Sequence, residues 1–232
     1  MERKSIKILV YEELKRNIMS MRLEPGQTMS TQEIATKLNV SRTPVREAFL
    51  QLQSEGLVEM IPQRETVVSR ISLDRVDQEK FIRECLEMGV VNKFMDKRSH
   101  AVAETMAGLI RLQKKCSDEK DYVGFLDADD HFHKVLFEVT GQQMSWETIE
   151  SRNGHYNRLR ILYIQKEQVM YESVEQHNEI VKLLETGERE DVYKALTSHI
   201  QRLDVGKTDL VASYPDYFET GNTSRERRIG SL

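Results

Sequence analysis

The run Ser41-Arg42-Thr43-Pro44-Val45-Arg46-Glu47-Ala48 constrains the fold more than any other stretch of this chain. Proline is tolerated in an α-helix only in the first turn, where its missing N–H has no partner to lose. Pro44 therefore marks a helix start, with Ser41 or Thr43 as the expected cap. From there Val45, Ala48, Phe49 and Leu52 recur at spacings of three, four and seven and form one apolar face. Arg42, Thr43 and Arg46 are left near the exposed N-terminal end. Arginine there can grip phosphate or the O6/N7 edge of guanine if the helix enters a major groove. A helix with two arginines is common in any globular protein, so its neighbours decide.

Before it, Tyr11, Leu14, Ile18 and Met21 form the inward stripe of a first helix, which Pro25-Gly26 ends. Ser30-Thr31-Gln32-Glu33 has capping-box spacing and opens a short helix with Ile34, Ala35 and Leu38 inward. Asn39-Val40 makes the tight turn into the helix at Arg42. After Gly56, the β-prone runs Leu57–Ile61 and Thr66–Ser69 flank a turn at Pro62-Gln63-Arg64-Glu65 and read as a hairpin. Helix, helix, recognition helix and hairpin over residues 1–72 is a winged helix-turn-helix. This layout serves DNA binding and, less often, protein docking.

The formal charge of −4 gains meaning when divided along the chain. Residues 1–72 carry 11 Lys and Arg against 9 Asp and Glu, a net of +2; the remainder carries 23 against 29, a net of −6. The basic excess is small, so specific affinity is expected to need a homodimer that sets two modules on a palindrome of double-stranded DNA. No run reaches the roughly 18 apolar residues of a membrane span, and Met1-Glu2-Arg3-Lys4 is not followed by an apolar signal core. A cytoplasmic protein with no membrane partner is expected. Cys85 and Cys116 lack CxxC spacing and read as reduced, buried or half-buried thiols.

From Leu73 onward the pattern is helical. The expected helices run from Ser72 to about Lys97 (Phe81, Leu86, Val90 and Phe94 inward), Ala101–Cys116, Asp121–Thr140, about Ser145–Val169, Glu172–Thr186 and about Glu190–Val211. Gly141 breaks the third and Gly187 the fifth. The fold class is thus mostly α: a winged helix-turn-helix followed by an all-α bundle of six to seven helices over 73–212. A flexible tail follows over 213–232, whose Arg225-Glu226-Arg227-Arg228 is basic but lacks helical periodicity.

Within the bundle Asp129 and His133 stand four apart, on one helix face, where both can reach a single ion. Asp127, Asp130 and His131 are nearby alternatives, with Asp130 and His131 turned further toward solvent than His133. His177 and His199 recur in the last helices. One acid and three imidazoles suit Zn²⁺, Mn²⁺, Ni²⁺ or Fe²⁺ without choosing among them, and on composition alone satisfied core histidines are the more frequent case in a helical protein.

Residues 9–72 resemble the DNA-binding domain of the GntR superfamily of bacterial transcription regulators. The resemblance rests on Leu23-Glu24-Pro25-Gly26, Glu33-Ile34-Ala35, Leu38 through Ala48, and Glu55-Gly56-Leu57-Val58. It implies operator contacts by Arg42, Thr43 and Arg46, with Ser41 and Gln32 beside them, and a wing tip at Gln63 and Arg64 in the adjacent minor groove. Gln32 replaces a frequent arginine or lysine, and Glu65 a frequent glycine. Residues 74–212 resemble the effector domain of the FadR-like branch, through Arg83…Glu87, Asp129…Phe132-His133, His177…Ile180 and His199. The resemblance implies one divalent metal ion per chain on Asp129, His133, His177 and His199, its coordination completed by a small carboxylate effector. Arg83, Arg158 and Arg160 are candidates to bind that carboxylate. Gly141-Gln142 departs from the usual Gly-Asn at the pocket rim. The implied protein is a regulator, most often a repressor, and not an enzyme. Two other readings stay open: a regulator with a structural or absent metal and an apolar effector, and, more remotely, a metalloenzyme, for which no general base or nucleophile stands out.

Overall fold

The computed structural model describes residues 5–62, 65–166 and 168–220. The chain divides into two compact units, Met1–Val76 with Asp209–Leu232, and Asp77–Thr208.

The first unit opens with α1 (Ile6–Met19), β1 (Thr28–Met29), α2 (Thr31–Lys37) and α3 (Arg42–Ser54), followed by β2 (Val58–Met60) and β3 (Thr66–Val68). Ser30 and Glu33 form the expected capping box: Glu33 N–H donates to Ser30 Oγ at 3.0 Å and Ser30 N–H to Glu33 Oε2 at 3.2 Å. Asn39 takes a left-handed φ of 52°, which reverses the chain between α2 and α3. Val45, Ala48, Phe49 and Leu52 are fully buried against Val10, Leu14 and Ile18 of α1. The Tyr11 hydroxyl and Lys15 ammonium of α1 both reach the Glu55 carboxylate at the end of α3, at 2.5 and 2.8 Å.

Gly56 turns the chain from α3 into the hairpin with a φ of +74°, a conformation that favours glycine. The hairpin gains a strand that the sequence pattern hides, since β1 pairs antiparallel with β3 in the order β1-β3-β2. Residues 214–220, expected as the start of a flexible tail, take up defined structure, and Arg225-Glu226-Arg227-Arg228 lie outside the described residues. Pro215–Tyr217 forms a 3₁₀ turn, Phe218 is buried, and Ile71 and Phe218 form a parallel bridge. An aromatic side chain that finds an apolar niche is enough to fix a segment without periodicity.

The bundle helices are α4 (Leu73–Met95), α5 (His100–Glu119), α6 (Tyr122–Val139), α7 (Gln143–Glu150), α8 (Gly154–Tyr163), α9 (Val169–Thr186), α10 (Arg189–Gln201) and α11 (Leu203–Ser213). In the second unit α5 packs against both α6 and α9, and α9 packs against α10. Two expected helices are each broken in two. The span from Ser145 to Val169 divides into α7 and α8 at Ser151–Asn153. The buried Glu79 carboxylate accepts from the N–H groups of His155 and Tyr156, both at 2.8 Å, and so satisfies the new helix start. The last span divides at Arg202.

The buried face of α4 also differs from the expected stripe. Phe81 is 65% exposed, whereas Glu79, Arg83 and Glu87 face inward with Val90 and Phe94. Polar residues set the phase of α4 because their partners lie inside the bundle. Gly187 ends α9 without a left-handed turn; a Cβ there would lie 2.9 Å from the Leu183 carbonyl oxygen. Cys85 and Cys116 are both free, Cys116 buried as expected and Cys85 exposed.

Candidate metal centre and nucleic-acid interface

On the first unit the start of α3 is open to solvent. Ser41, Arg42, Thr43 and Arg46 are exposed, and Arg42 and Arg46 make no ion pair among the described residues. Ser41 sits at the N-cap without a side-chain hydrogen bond, contrary to the expected cap. The first-turn N–H groups therefore keep their partial positive charge, a feature that favours anions. Gln32, exposed on α2, donates its amide to Thr36 Oγ1 at 3.1 Å. Gln63 and Arg64 lie outside the described residues.

In the second unit Asp129 and His133 of α6 meet His177 of α9 and His199 of α10, with one ligand atom from each within 4.8 Å of the others. All but His199 are buried, and His199 is half-buried. The Nδ1 atom of each imidazole is tied to an oxygen: His133 to Glu87 Oε2 at 2.6 Å, His177 to Gln113 Oε1 at 2.7 Å and His199 to Gln176 Oε1 at 2.9 Å. An oxygen behind Nδ1 favours a proton there, and a neutral ring held in that way offers its Nε2 to a cation. The Nε2 atoms converge. His177 and His199 Nε2 are 3.2 Å apart, His177 Nε2 is 3.6 Å from Asp129 Oδ1, and His133 Nε2 is 3.8 Å from Asp129 Oδ2. His133 Nε2 is buried without a hydrogen-bond partner. Phe132 stacks on His177 with centroids 4.1 Å apart and fixes that ring.

Electrostatics keep the donors in the forms that bind a cation. Burial lowers the His177 pKa to about 3, and burial beside His177 and His133 lowers that of His199 well below its usual value. Both rings are neutral at pH 7. Burial alone would raise the Asp129 pKa, but Arg160, His133, His177 and Arg83 outweigh it and hold the carboxyl well below the usual range. Glu87 is lowered to about 2: burial opposes ionisation, while His133 and Arg83 favour it more strongly. Two neutral imidazoles, His177 and His199, one carboxylate and the unpartnered buried Nε2 of His133 fit a divalent cation. Two ligand bonds of about 2.0–2.1 Å to one ion readily span the 3.2 Å between the closest nitrogens.

Two arginines border this cluster. Arg83 Nε donates to Glu87 Oε1 at 2.6 Å and Nη1 to Asp130 Oδ1 at 3.1 Å, with Nη2 3.7 Å from Asp129 Oδ2. Arg160 Nη1 donates to Asp130 Oδ1 at 2.8 Å and Nη2 to Asp129 Oδ2. Tyr156 lies between them, 5.8 Å from Arg83 and 5.6 Å from Arg160. Arg158 points elsewhere: it is fully buried, donates to Gly154 O at 3.1 Å and does not line the cavity beside the cluster. That cavity, of about 40 Å³, is lined by Arg83, Asp129, Tyr156, Arg160, His199 and Arg202 among others.

Several of these partners escape the sequence reading. Glu87, Gln113 and Gln176 orient the rings, Asp130 faces the arginines rather than solvent, and Arg202 reaches the cavity from the end of α10. Only Glu87 carried a signal, its spacing of four from Arg83.

The same two-part organisation appears in known proteins. Residues 9–68 match the bacterial regulatory proteins of the gntR family, and residues 81–202 match the FCD domain. The HTH-type transcriptional repressor RspR of Escherichia coli K12 is 28% identical over 209 residues, 90% of this chain and 92% of its own. An HTH-type transcriptional regulator in an unstable DNA locus of Streptomyces ambofaciens is 30% identical over 212 residues, 91% and 89% of the two chains. Among solved structures, E. coli McbR/YncC aligns with a TM-score of 0.75 at 20% identity, over 91% of this chain and all of the other. A protein classed as a GntR transcriptional regulator from Rhodococcus sp. RHA1 aligns with a TM-score of 0.71 at 23% identity, over the same shares. Both share the fold. The chain belongs to the GntR family of DNA-binding transcription regulators, with an FCD domain as its C-terminal part.

Proposed function

We propose that the chain is a cytoplasmic, homodimeric repressor whose operator affinity is set by a small carboxylate bound at a divalent metal in the bundle. In this reading residues 1–72 bind DNA, and residues 73–212 dimerise and hold the effector. RspR of E. coli is named a transcriptional repressor, as is a relative from Paenarthrobacter nicotinovorans named for a D-xylose utilization operon. The observation that carries the metal is the convergence of Asp129 with three imidazoles, one ligand atom from each within 4.8 Å of the others and each ring held from behind by an oxygen. Asp129, His133, His177 and His199 would hold the ion, which would supply positive charge and an attachment point for an anion.

A charge count supports the carboxylate. Counting the arginines and carboxylates alone, Arg83 and Arg160 face Glu87, Asp129 and Asp130, a net of −1. A divalent ion turns this to +1 and makes the cavity receptive to an anion. Arg83 and Arg160 are placed to meet it; Arg158 is not among the cavity's lining residues. In the first unit Arg42, Thr43 and Arg46 would read or grip the operator, with Ser41, Gln32 and the wing residues Gln63 and Arg64 in support.

A ligand changes operator affinity only through its unequal affinity for two arrangements of the dimer, typically about 1–3 kcal/mol. The test is operator affinity by fluorescence anisotropy, with Zn²⁺ or Mn²⁺ supplied and a panel of small carboxylates added. A shift of about fivefold or more that vanishes in the Asp129→Ala/His133→Ala double variant supports the proposal. An unchanged affinity across metals and carboxylates contradicts it.

One observation favours the reading with an apolar effector. A cleft of about 790 Å³ among α4, α5 and α6 is lined by Phe94, Val102, Val135 and Val139, with Lys93 and Lys97 at its edge. Its volume falls in the range of small-molecule sites. An effector that acts equally on the double variant would point there.

A further inference from the structure

The outward face of α4 is composed for contact yet lies in solvent. Phe81 is exposed, and Cys85 stands one turn further along, also exposed. Ile82 and Met88 are half-buried beside them, and Gly89 is exposed. These residues recur at spacings of three and four and form one stripe. Between Gln78 and Asn92 that stripe carries no charge, although 31% of the chain is charged. The charges of the same stretch are turned elsewhere. Lys80 pairs with Asp204, Glu84 accepts from Gln201 Nε2 at 3.0 Å, and Arg83 and Glu87 pair in the interior. Val205, next to Asp204 on α11, is 84% exposed and widens the apolar face.

Gly89 is a second, independent sign of a partner. It sits inside a 23-residue helix, where glycine is the least favourable residue after proline. Nothing within the chain requires it. A Cβ there would meet no atom within 4 Å, and its backbone does not take a left-handed φ. A glycine so placed fits a surface that another helix approaches closely from outside.

A second copy of the chain fits this stripe in register. A two-fold axis that crosses α4 at Cys85 sets two copies of the helix antiparallel. Ile82 then stands opposite Gly89 of the second copy and Phe81 opposite its Met88, while the two Cys85 side chains meet at the centre. Each bulky side chain thus meets a small or flexible one. Toward the ends Asp77 comes level with Asn92 and Gln78 with Lys93, so no like charges meet across the stripe between them. A parallel alignment would set Asp77 against Asp77 and Lys93 against Lys93. We propose that this face of α4 is the homodimer interface of the second unit, closed antiparallel about Cys85, with Gly89 as the seat for Ile82 of the second copy. The inference rests on the homodimeric reading above and gives it a surface and a register.

The test is sedimentation equilibrium of the full-length chain, joined to cross-linking of its thiols by a short bis-maleimide. The unmodified protein is expected to be a dimer that Cys85 links covalently. Cys85→Ser abolishes the link, and the buried Cys116 supplies none. Phe81→Glu sets a carboxylate in the apolar centre and weakens the dimer about tenfold or more. Gly89→Gln is the sharper variant, because it raises helix propensity while its side chain blocks the approach. A dimer weakened about tenfold or more, with helix content by circular dichroism unchanged, then cannot be laid to misfolding. A dimer that both variants leave at full strength, or whose Cys85 thiols do not link, overturns the inference and leaves the homodimeric reading on another face. A chain that stays monomeric at micromolar concentration overturns both and would give the α4 face to a different protein.

Discussion

The two units use their interiors in opposite ways. The core of the first unit is built from Val10, Leu14, Ile18, Val45, Phe49 and Leu52, and its candidate contact residues, Arg42, Thr43 and Arg46, stand outside in solvent. The second unit places Arg83, Glu87, Asp129, His133, Arg160 and His177 in its core, each under a tenth exposed. In the first unit folding and recognition are separable, because the residues that pack are not those that contact a partner. In the second they are the same residues. Buried charges are tolerated only in a closed network, so every member contributes to both stability and ligand chemistry.

The sharpest break in this comparison comes from the apolar core. Phe49→Ala removes a fully buried ring and is expected to cost about 3–5 kcal/mol of stability. Urea denaturation should show the first unit melting early, while metal binding by the bundle persists. Glu87→Ala is the counterpart in the second unit. It leaves Arg83 without its closest carboxylate and His133 without its acceptor, for a loss of about 3–5 kcal/mol. Unlike Phe49→Ala, it should also weaken metal affinity about 10–100-fold, measured by competition with a chromogenic chelator.

Arg46→Ala should separate the two properties most cleanly. The residue is exposed, so stability changes by less than about 0.5 kcal/mol. Operator affinity should fall by about 1–3 kcal/mol per contact, to the point of loss in a dimer that carries the change twice. Equal operator affinity in this variant would remove α3 from the interface. The smallest expected effect is Ser30→Ala, about 1 kcal/mol from the loss of the capping box at the start of α2, with metal content untouched.

The contrast also explains what could be read from the sequence. The helix-turn-helix was legible because its signals are local: Pro44 in the first turn of α3, the Ser30/Glu33 pair at α2, and Asn39 at the turn. β1 was hidden because two residues carry no period, and the strand exists only through pairing with β3. In the bundle, Asp129 and His133 were visible as a pair one turn apart on one helix. The residues that tune them were not, since Glu87 lies 46 positions from His133 and Gln113 lies 64 from His177. Buried polar residues also invert the rule that assigns apolar side chains to the inside, which is why Phe81 was expected inward and is exposed. The breaks at Ser151–Asn153 and Arg202 turn helices to deliver Arg160 and Arg202 to the cavity, a demand of the site that helix periodicity does not encode.

The claim that the second unit holds its chemistry in its core is tested most directly by counting metal. Protein purified without a histidine tag or chelator should carry about one divalent ion per chain by elemental analysis, and the Asp129→Ala/His133→Ala variant should carry none. An unmodified protein that binds no ion when Zn²⁺, Mn²⁺, Ni²⁺ and Fe²⁺ are each supplied would contradict the account and leave the histidine cluster a structural feature of the bundle.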